Sequence, residues 1–258
     1  MRDTGLEEAI RVAGGVGALA RKIGISQPSV SNWSRIPAER VLAVETATGI
    51  DRSILRPDLY SAANWGGDVD EVEAARAQEY TLLAALLARA PDQKLLDRLA
   101  GLKGDASPLG VAHVALADVA SSVPAERVER EYFDLFIGLG RGELLPYGSY
   151  YLSGFLHERP LARLRADLRE LGIERAEGQC EPEDHVAILC EIMAGIINRR
   201  LPAEPGVDRQ FFDDHLAPWI GRFFSDLERA EAADFYRSVG MLGREFIEIE
   251  TEAFALPS

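Results

Sequence analysis

Cysteine is almost absent: Cys180 and Cys190 are the only two in 258 residues, with no C-x-x-C and no Cys/His cluster at zinc spacing. A disulfide scaffold and a structural zinc site are thereby excluded. No apolar run approaches the ~20 residues that a bilayer span requires, so no membrane insertion is expected. The opening MRDTGLEEAI lacks the basic-then-apolar pattern of an export signal. A reducing cytoplasm is the expected compartment. Low-complexity tracts and internal repeats are missing as well. What is present is the composition of an ordinary folded protein, 47% hydrophobic and 27% charged. The length allows one large domain or two smaller ones.

Basic residues are also scarce, but not uniformly. The whole chain has 28 Lys and Arg against 42 Asp and Glu, a net charge of −14. Residues 1–60 carry eight basic and seven acidic side chains, whereas residues 61–258 carry 20 and 35. The acidity that would repel nucleic acid is therefore confined to the second region. Between the two lies SAANWGGDVDEVEAA, where Asn64, Gly66, Gly67 and Asp68 break helical periodicity. The spacing predicts a domain at 1–60, a linker at 61–72 and a larger domain at 73–258.

Five short helices are expected in residues 1–60. Leu6, Ile10 and Ala13 share a face that Gly14-Gly15 ends. In GVGALARKIGISQPSVSNW, Ala20 is small enough for close helix contact and Gly24 can take a positive φ. Ser26 can cap the next helix, with Pro28 in its first turn. Val30 and Trp33 then point back into a small core. This order of residues is that of a helix-turn-helix, two short helices crossing through a tight turn. Gln27, Ser31 and Asn32 are left exposed on the second helix, with Ser26 and Ser29 near its start. Gln and Asn can bond bidentately to adenine, and serine is permissive. Arg21, Lys22, Arg35 and Arg40 flank this face and can hold phosphates of double-stranded DNA. With a net charge of only +1 over residues 1–60, a monomer should bind DNA weakly. From Leu6 to Tyr60, through that segment and IPAERVLAVETATG, the chain resembles the Cro-like, YdaS-type helix-turn-helix domains of bacterial and phage regulators. The resemblance implies operator binding as a homodimer.

Residues 69–258 read as helix throughout, in roughly nine or ten segments punctuated by Pro and Gly. No stretch alternates apolar and polar residues as a half-buried strand would. The fold class is thus all-α: a small helix-turn-helix domain joined to a larger helical bundle with its own core. Little in the bundle points to catalysis. GLGRGELLPYGSYY (138–151) is glycine-rich but follows a helix, and its spacing fits neither G-x-G-x-x-G nor G-x-x-x-x-G-K. A nucleotide hydrolase is accordingly disfavoured. His113, His157, His185 and His215 lie far apart, with no H-E-x-x-H. Cys190 sits among apolar residues and reads as core. No cofactor is expected.

Three unusual loops remain. EYFDLFIGLGRGELLPYGSYY places aromatics around a helix end. EPEDH (181–185) puts Glu181, Glu183 and Asp184 at a helix start, where carboxylates complement the dipole and Asp184 can cap. FFDDHLAPW (211–219) pairs acids with a His before Pro218. An ordinary helix start and a binding site are both open readings of EPEDH.

These motifs, with HLAPWIGRFFSDL and FYRSVGMLGREF next in order, resemble the TorD/DmsD family of cytoplasmic chaperones for molybdenum-containing redox enzymes, over about residues 73–256. The resemblance implies a TorD-like helical bundle that binds an apo molybdoenzyme, such as a formate dehydrogenase or dimethyl sulfoxide reductase-type subunit, often through its twin-arginine signal peptide. It implies no enzymatic activity. Peptide recognition is associated with Glu181, Pro182, Asp184 and His185, together with Tyr132, Phe136, Tyr147 and Tyr151. Asp184 and His185 would then stand at the mouth of a groove lined by Tyr132, Phe136 and Tyr147. The chain departs from the family in having one proline in LLPYGSYY, where relatives often have two. It departs more widely in carrying the helix-turn-helix. Two functions are compatible with this pairing: a maturation chaperone with a DNA-binding head regulating the client operon, or a transcriptional regulator whose bundle senses client or cofactor status.

Overall fold

A computed structural model describes residues 3–37, 40–50, 52–56, 71–174, 181–201 and 203–256. The chain divides into two compact units, Met1–Asp70 and Glu71–Ser258. The linker expected at 61–72 falls outside the described residues except for Glu71 and Val72, which open a helix instead. Cys180 also lies outside them. Both units are helical, and no strand occurs among the described residues.

The N-terminal unit contains α1 (Thr4–Ala13), α2 (Val16–Lys22), α3 (Gln27–Ser31), α4 (Val41–Thr48) and α5 (Arg52–Leu55). Asp3 caps α1 by accepting from Leu6 N–H at 2.9 Å. Gly24 takes φ +70° in the turn between α2 and α3, where a side chain would be strained. Ser26 caps α3 by accepting from Ser29 N–H, and Pro28 stands in the first turn. Leu6, Leu19, Ala20, Val30 and Val44 are buried together as the unit's core, with Trp33 packed partly against them. A helix-turn-helix therefore forms here because each turn residue and each inward apolar residue agrees on one geometry.

The C-terminal unit holds α6 (Glu71–Ala88), α7 (Gln93–Leu99), α8 (Pro108–Ser122), α9 (Ala125–Tyr132), α10 (Gly148–Ser153), α11 (Arg159–Glu170), α12 (Val186–Ile197), α13 (Val207–His215), α14 (Ile220–Arg229) and α15 (Phe235–Ala255). Ten of the twelve residues of α12 are buried, as expected for a helix apolar on every side. It packs along α6, and α15 packs along α8 and α14. Cys190 is fully buried in α12, and burial pushes its thiol up, away from the reactive thiolate. Past α9 the chain makes one π-helical turn, Phe133–Ile137, closed by Gly138 N–H donating to Phe133 O at 2.7 Å. Turns of this kind insert an extra residue and re-aim the chain beyond them.

The contact between α14 and α15 depends on glycine. A Cβ on Gly240 would come within 2.6 Å of the Glu228 backbone nitrogen and 3.0 Å of Phe224 O. Gly240→Ala gains about 1 kcal/mol of helix propensity but forces two backbones apart. We expect a net loss of about 2 kcal/mol in urea unfolding of the unit. Unchanged or increased stability would mean that α14 shifts freely.

Candidate functional site

The three unusual loops converge. Pro146–Ser149 runs beside Asp184–Val186, with Gly148 N–H donating to Asp184 O and Val186 N–H to Pro146 O, each at 2.9 Å. This short antiparallel pairing centres on Tyr147 and His185. The third loop joins through Trp219, whose indole N–H donates to His215 O at 2.7 Å and whose ring lies 5.4 Å from that of Tyr151. Together the loops and α11 enclose a pocket of about 420 Å³, lined in part by Ser149, Asp184, His215, Trp219 and the apolar Leu164 and Leu189.

The helix start is built differently from the sequence expectation. Asp184 does not cap α12. His185 is the N-cap, its Nδ1 accepting from Ala187 N–H at 3.1 Å, which leaves the ring proton on Nε2. Burial lowers the His185 pKa, so the ring is neutral at pH 7. The carboxylate of Asp184 turns away from its own helix and accepts from Ser149 N–H at 2.7 Å. Cross-loop pairing determines this: once Asp184 O is used by Gly148, the side chain is aimed at the start of α10. Asp184 Oδ1 and Ser149 Oγ make no hydrogen bond among the described residues, although the two residues are only 3% and 1% exposed. Orphaned buried polar atoms are costly and rare in folded proteins.

The other carboxylates of the motif are engaged. Glu183 pairs with Arg165 at 2.8 Å, and Tyr147 donates its hydroxyl to Glu181 at 2.5 Å. Burial and Glu181 raise the Tyr147 pKa. Its ring meets His185 edge-on at 5.1 Å. Pro182 is half-buried, its carbonyl accepting from His185 N–H at 3.1 Å.

The expected groove is only partly assembled. Tyr147 lies with His185, and Tyr151 lies beside Trp219, donating to Asp226 at 3.1 Å. Tyr132 and Phe136 instead pack on each other and on Tyr236, and the Tyr132 hydroxyl donates to Leu87 O at 3.2 Å. They are half-buried and do not line the pocket that Asp184 faces. Phe136 lies within the π-helical turn and Tyr132 immediately before it, ahead of the loop that carries Tyr147. Sequence reasoning missed Ser149 and Trp219; the motifs PYGSYY and HLAPW contained them, but nothing in their spacing showed that they meet.

On the N-terminal unit, Arg21, Lys22, Ser26, Gln27, Ser29, Ser31, Asn32, Arg35 and Arg40 are all exposed. Gln27 and Ser31 lie on α3, whereas Asn32 is the residue that ends it. Ser26 and Ser29 are hydrogen-bonded to each other at 2.7 Å.

Among the described residues, no group of three or more His, Cys, Asp or Glu side chains is placed to hold a metal, and no helix is long and apolar enough to cross a membrane. Residues 102–225 match the family described as nitrate reductase delta subunit, and residues 6–64 match the family described as bacterial toxin YdaS. The chaperone protein TorD of Vibrio atlanticus is 24% identical over 73% of this chain and 98% of its own length. TorD of Vibrio parahaemolyticus is 24% identical over 71% of this chain and 96% of its own. A protein named "Probable Tat proofreading chaperone DmsD" in Haemophilus influenzae is 29% identical over 45% and 57%. These relatives are chaperones, not enzymes. The C-terminal unit is thus similar to the TorD and DmsD chaperones, and residues 6–64 are similar to the YdaS family.

Proposed function

We propose that the C-terminal unit binds the apo form of a molybdenum-dependent oxidoreductase, a formate dehydrogenase or dimethyl sulfoxide reductase-type subunit, before its cofactor is inserted. The client docks where the three loops converge, through a basic and apolar segment such as a twin-arginine signal peptide. One observation carries this reading: Asp184, which lines the pocket, holds a buried carboxylate oxygen with no protein partner among the described residues. A buried carboxylate calls for a charged or strongly polar donor. Residues 61–258 have a net charge of −15, which would speed the approach of a basic segment.

Asp184→Asn tests the reading because the amide oxygen can still accept from Ser149 N–H, while the amide nitrogen turns the unpartnered acceptor into a donor. Affinity for a labelled twin-arginine signal peptide should fall about tenfold, which is about 1.4 kcal/mol, with the melting temperature nearly unchanged. Full affinity in this folded variant would place docking elsewhere on the bundle.

The N-terminal unit serves in this proposal as an operator-binding head that regulates the client's genes, presented twice by a homodimer. Its support is the exposed α3 with Gln27 and Ser31 on it, in the region spared the acidity of the rest.

A further inference from the structure

We infer that Gly17, on α2, is a positioning residue for base reading: the space left by its missing side chain holds the Gln27 amide in the pose with which α3 meets DNA. This rests on the reading that the N-terminal unit binds an operator through α3.

The stretch Gly14-Gly15-Val16-Gly17 holds three glycines, and backbone conformation accounts for two of them. Gly14 ends α1 at φ +90° and Gly15 precedes α2 at φ +114°, a region that other residues rarely adopt. Gly17 is different. It lies in the first turn of α2 without a positive φ, where glycine is among the poorest helix formers. Among the described residues, a Cβ at position 17 would meet one neighbour beyond the adjoining turns of its own helix. That neighbour is the Gln27 side chain, at 3.2 Å to Oε1 and 3.6 Å to Cδ. The missing side chain therefore makes room for Gln27 at the expense of α2.

The backbone of Gln27 is already held. Ser26 accepts from Ser29 N–H and bonds the Ser29 hydroxyl at 2.7 Å, which pins the start of α3. Val30, three residues on, is fully buried and sets the roll of the helix, so Gln27 stands on the edge of α3 that borders α2. What remains free is the exposed side chain itself. A glutamine loses rotamer freedom when it is held against a base, and loses less when its amide is already confined. A methyl group at position 17 would crowd the amide oxygen inside ordinary van der Waals distance, so the amide must swing away. A branched side chain would fill the space altogether. Bidentate bonding to a base edge needs both ends of the amide in register, so either change weakens discrimination by Gln27. Arg21 and Lys22, which are suited to phosphates, are left as they were.

The experiment lets the full chain select from a pool of duplexes with a random core, then titrates single-base variants of the selected duplex at fixed salt. Gln27→Ala identifies the base pair that Gln27 reads, by removing a preference of about tenfold at that position. Gly17→Val should remove nearly all of the same preference, and Gly17→Ala part of it. In a Gln27→Ala background neither change at position 17 should have a further effect. Affinity for unrelated duplex and its salt dependence should not move, and a circular-dichroism melt should show Gly17→Ala at least as stable as the parent. Gly17→Ala thus remains a test even where valine disturbs folding. Full preference in the folded Gly17 variants overturns the inference and leaves operator binding intact, as does an equal loss in the Gln27→Ala background. The same holds if Gln27→Ala selects the parent's sequence unchanged. A parent chain that enriches no sequence overturns both the inference and the operator reading on which it rests.

Discussion

Glu131→Ala should lower the stability of the C-terminal unit by about 3–5 kcal/mol, because three backbone donors lose a charged acceptor at about 1–3 kcal/mol each, less what water recovers. Glu131 lies at 6% exposure, and its carboxylate accepts from the backbone N–H groups of Asp234, Phe235 and Tyr236 at 2.8, 3.1 and 2.6 Å. Those N–H groups open α15, the 21-residue helix, which has no side-chain cap from its own Asp234. A helix of that length leaves its first donors unsatisfied and its positive dipole end exposed to whatever is nearby. Here a carboxylate from α9 answers both needs at once. Alanine would strand the buried donors of Phe235 and Tyr236 and the half-buried one of Asp234, each costing about 1–3 kcal/mol, partly recovered by entering water. Glu131→Gln should fall between parent and alanine, because one carbonyl oxygen replaces two charged ones. Urea unfolding monitored by far-ultraviolet circular dichroism measures the difference. A loss under about 1 kcal/mol for alanine would show that water caps α15 equally well.

A second large effect is expected on DNA. With Gln27, Ser31 and Asn32 replaced together by alanine, the preference of the chain for its operator, typically about a thousandfold or more over unrelated DNA, should vanish. Binding that weakens steeply with salt should persist, because Arg21, Lys22, Arg35 and Arg40 remain to meet phosphates. The three replaced side chains are exposed, so the small core of Leu6, Leu19, Ala20 and Val30 should be unaffected. Selection from a random pool of duplexes reads the result directly. If the triple variant enriches the same sequence as the parent, these residues do not read the bases.

The two predictions draw on different ranges of interaction along the chain. The helix-turn-helix was legible because its determinants are local. Gly24 at φ +70°, the Ser26 cap, Pro28 in the first turn and the buried Val30 lie within seven residues of one another. Each obeys a rule of backbone conformation or capping that needs no knowledge of the rest of the molecule. The helical bundle was legible for a similar reason, since apolar periodicity and Pro or Gly breaks are also read over short windows. Even within that reading the π-helical turn at Phe133–Ile137 went unseen. The apolar pattern carries across it, and only the hydrogen bonding changes.

By itself, the sequence determined the class of the fold, the turn chemistry of the N-terminal unit and the existence of three loops too unusual to be mere connections. Their meeting was decided by tertiary structure alone. Ser149 and Asp184 are 35 residues apart, and Glu131 and Tyr236 are 105 apart. No periodicity spans such distances. Asp184 illustrates the physical reason. From sequence, a carboxylate just before a helix is free to cap it, because the nearest unsatisfied N–H groups are its own neighbours. In the folded chain a different donor, Ser149 N–H, is held closer by the pairing of two loops, and His185 takes over the cap. A side chain bonds the partner that packing delivers to it, and packing is settled by the burial of α12 and the helices around it, not by the residues beside the bond.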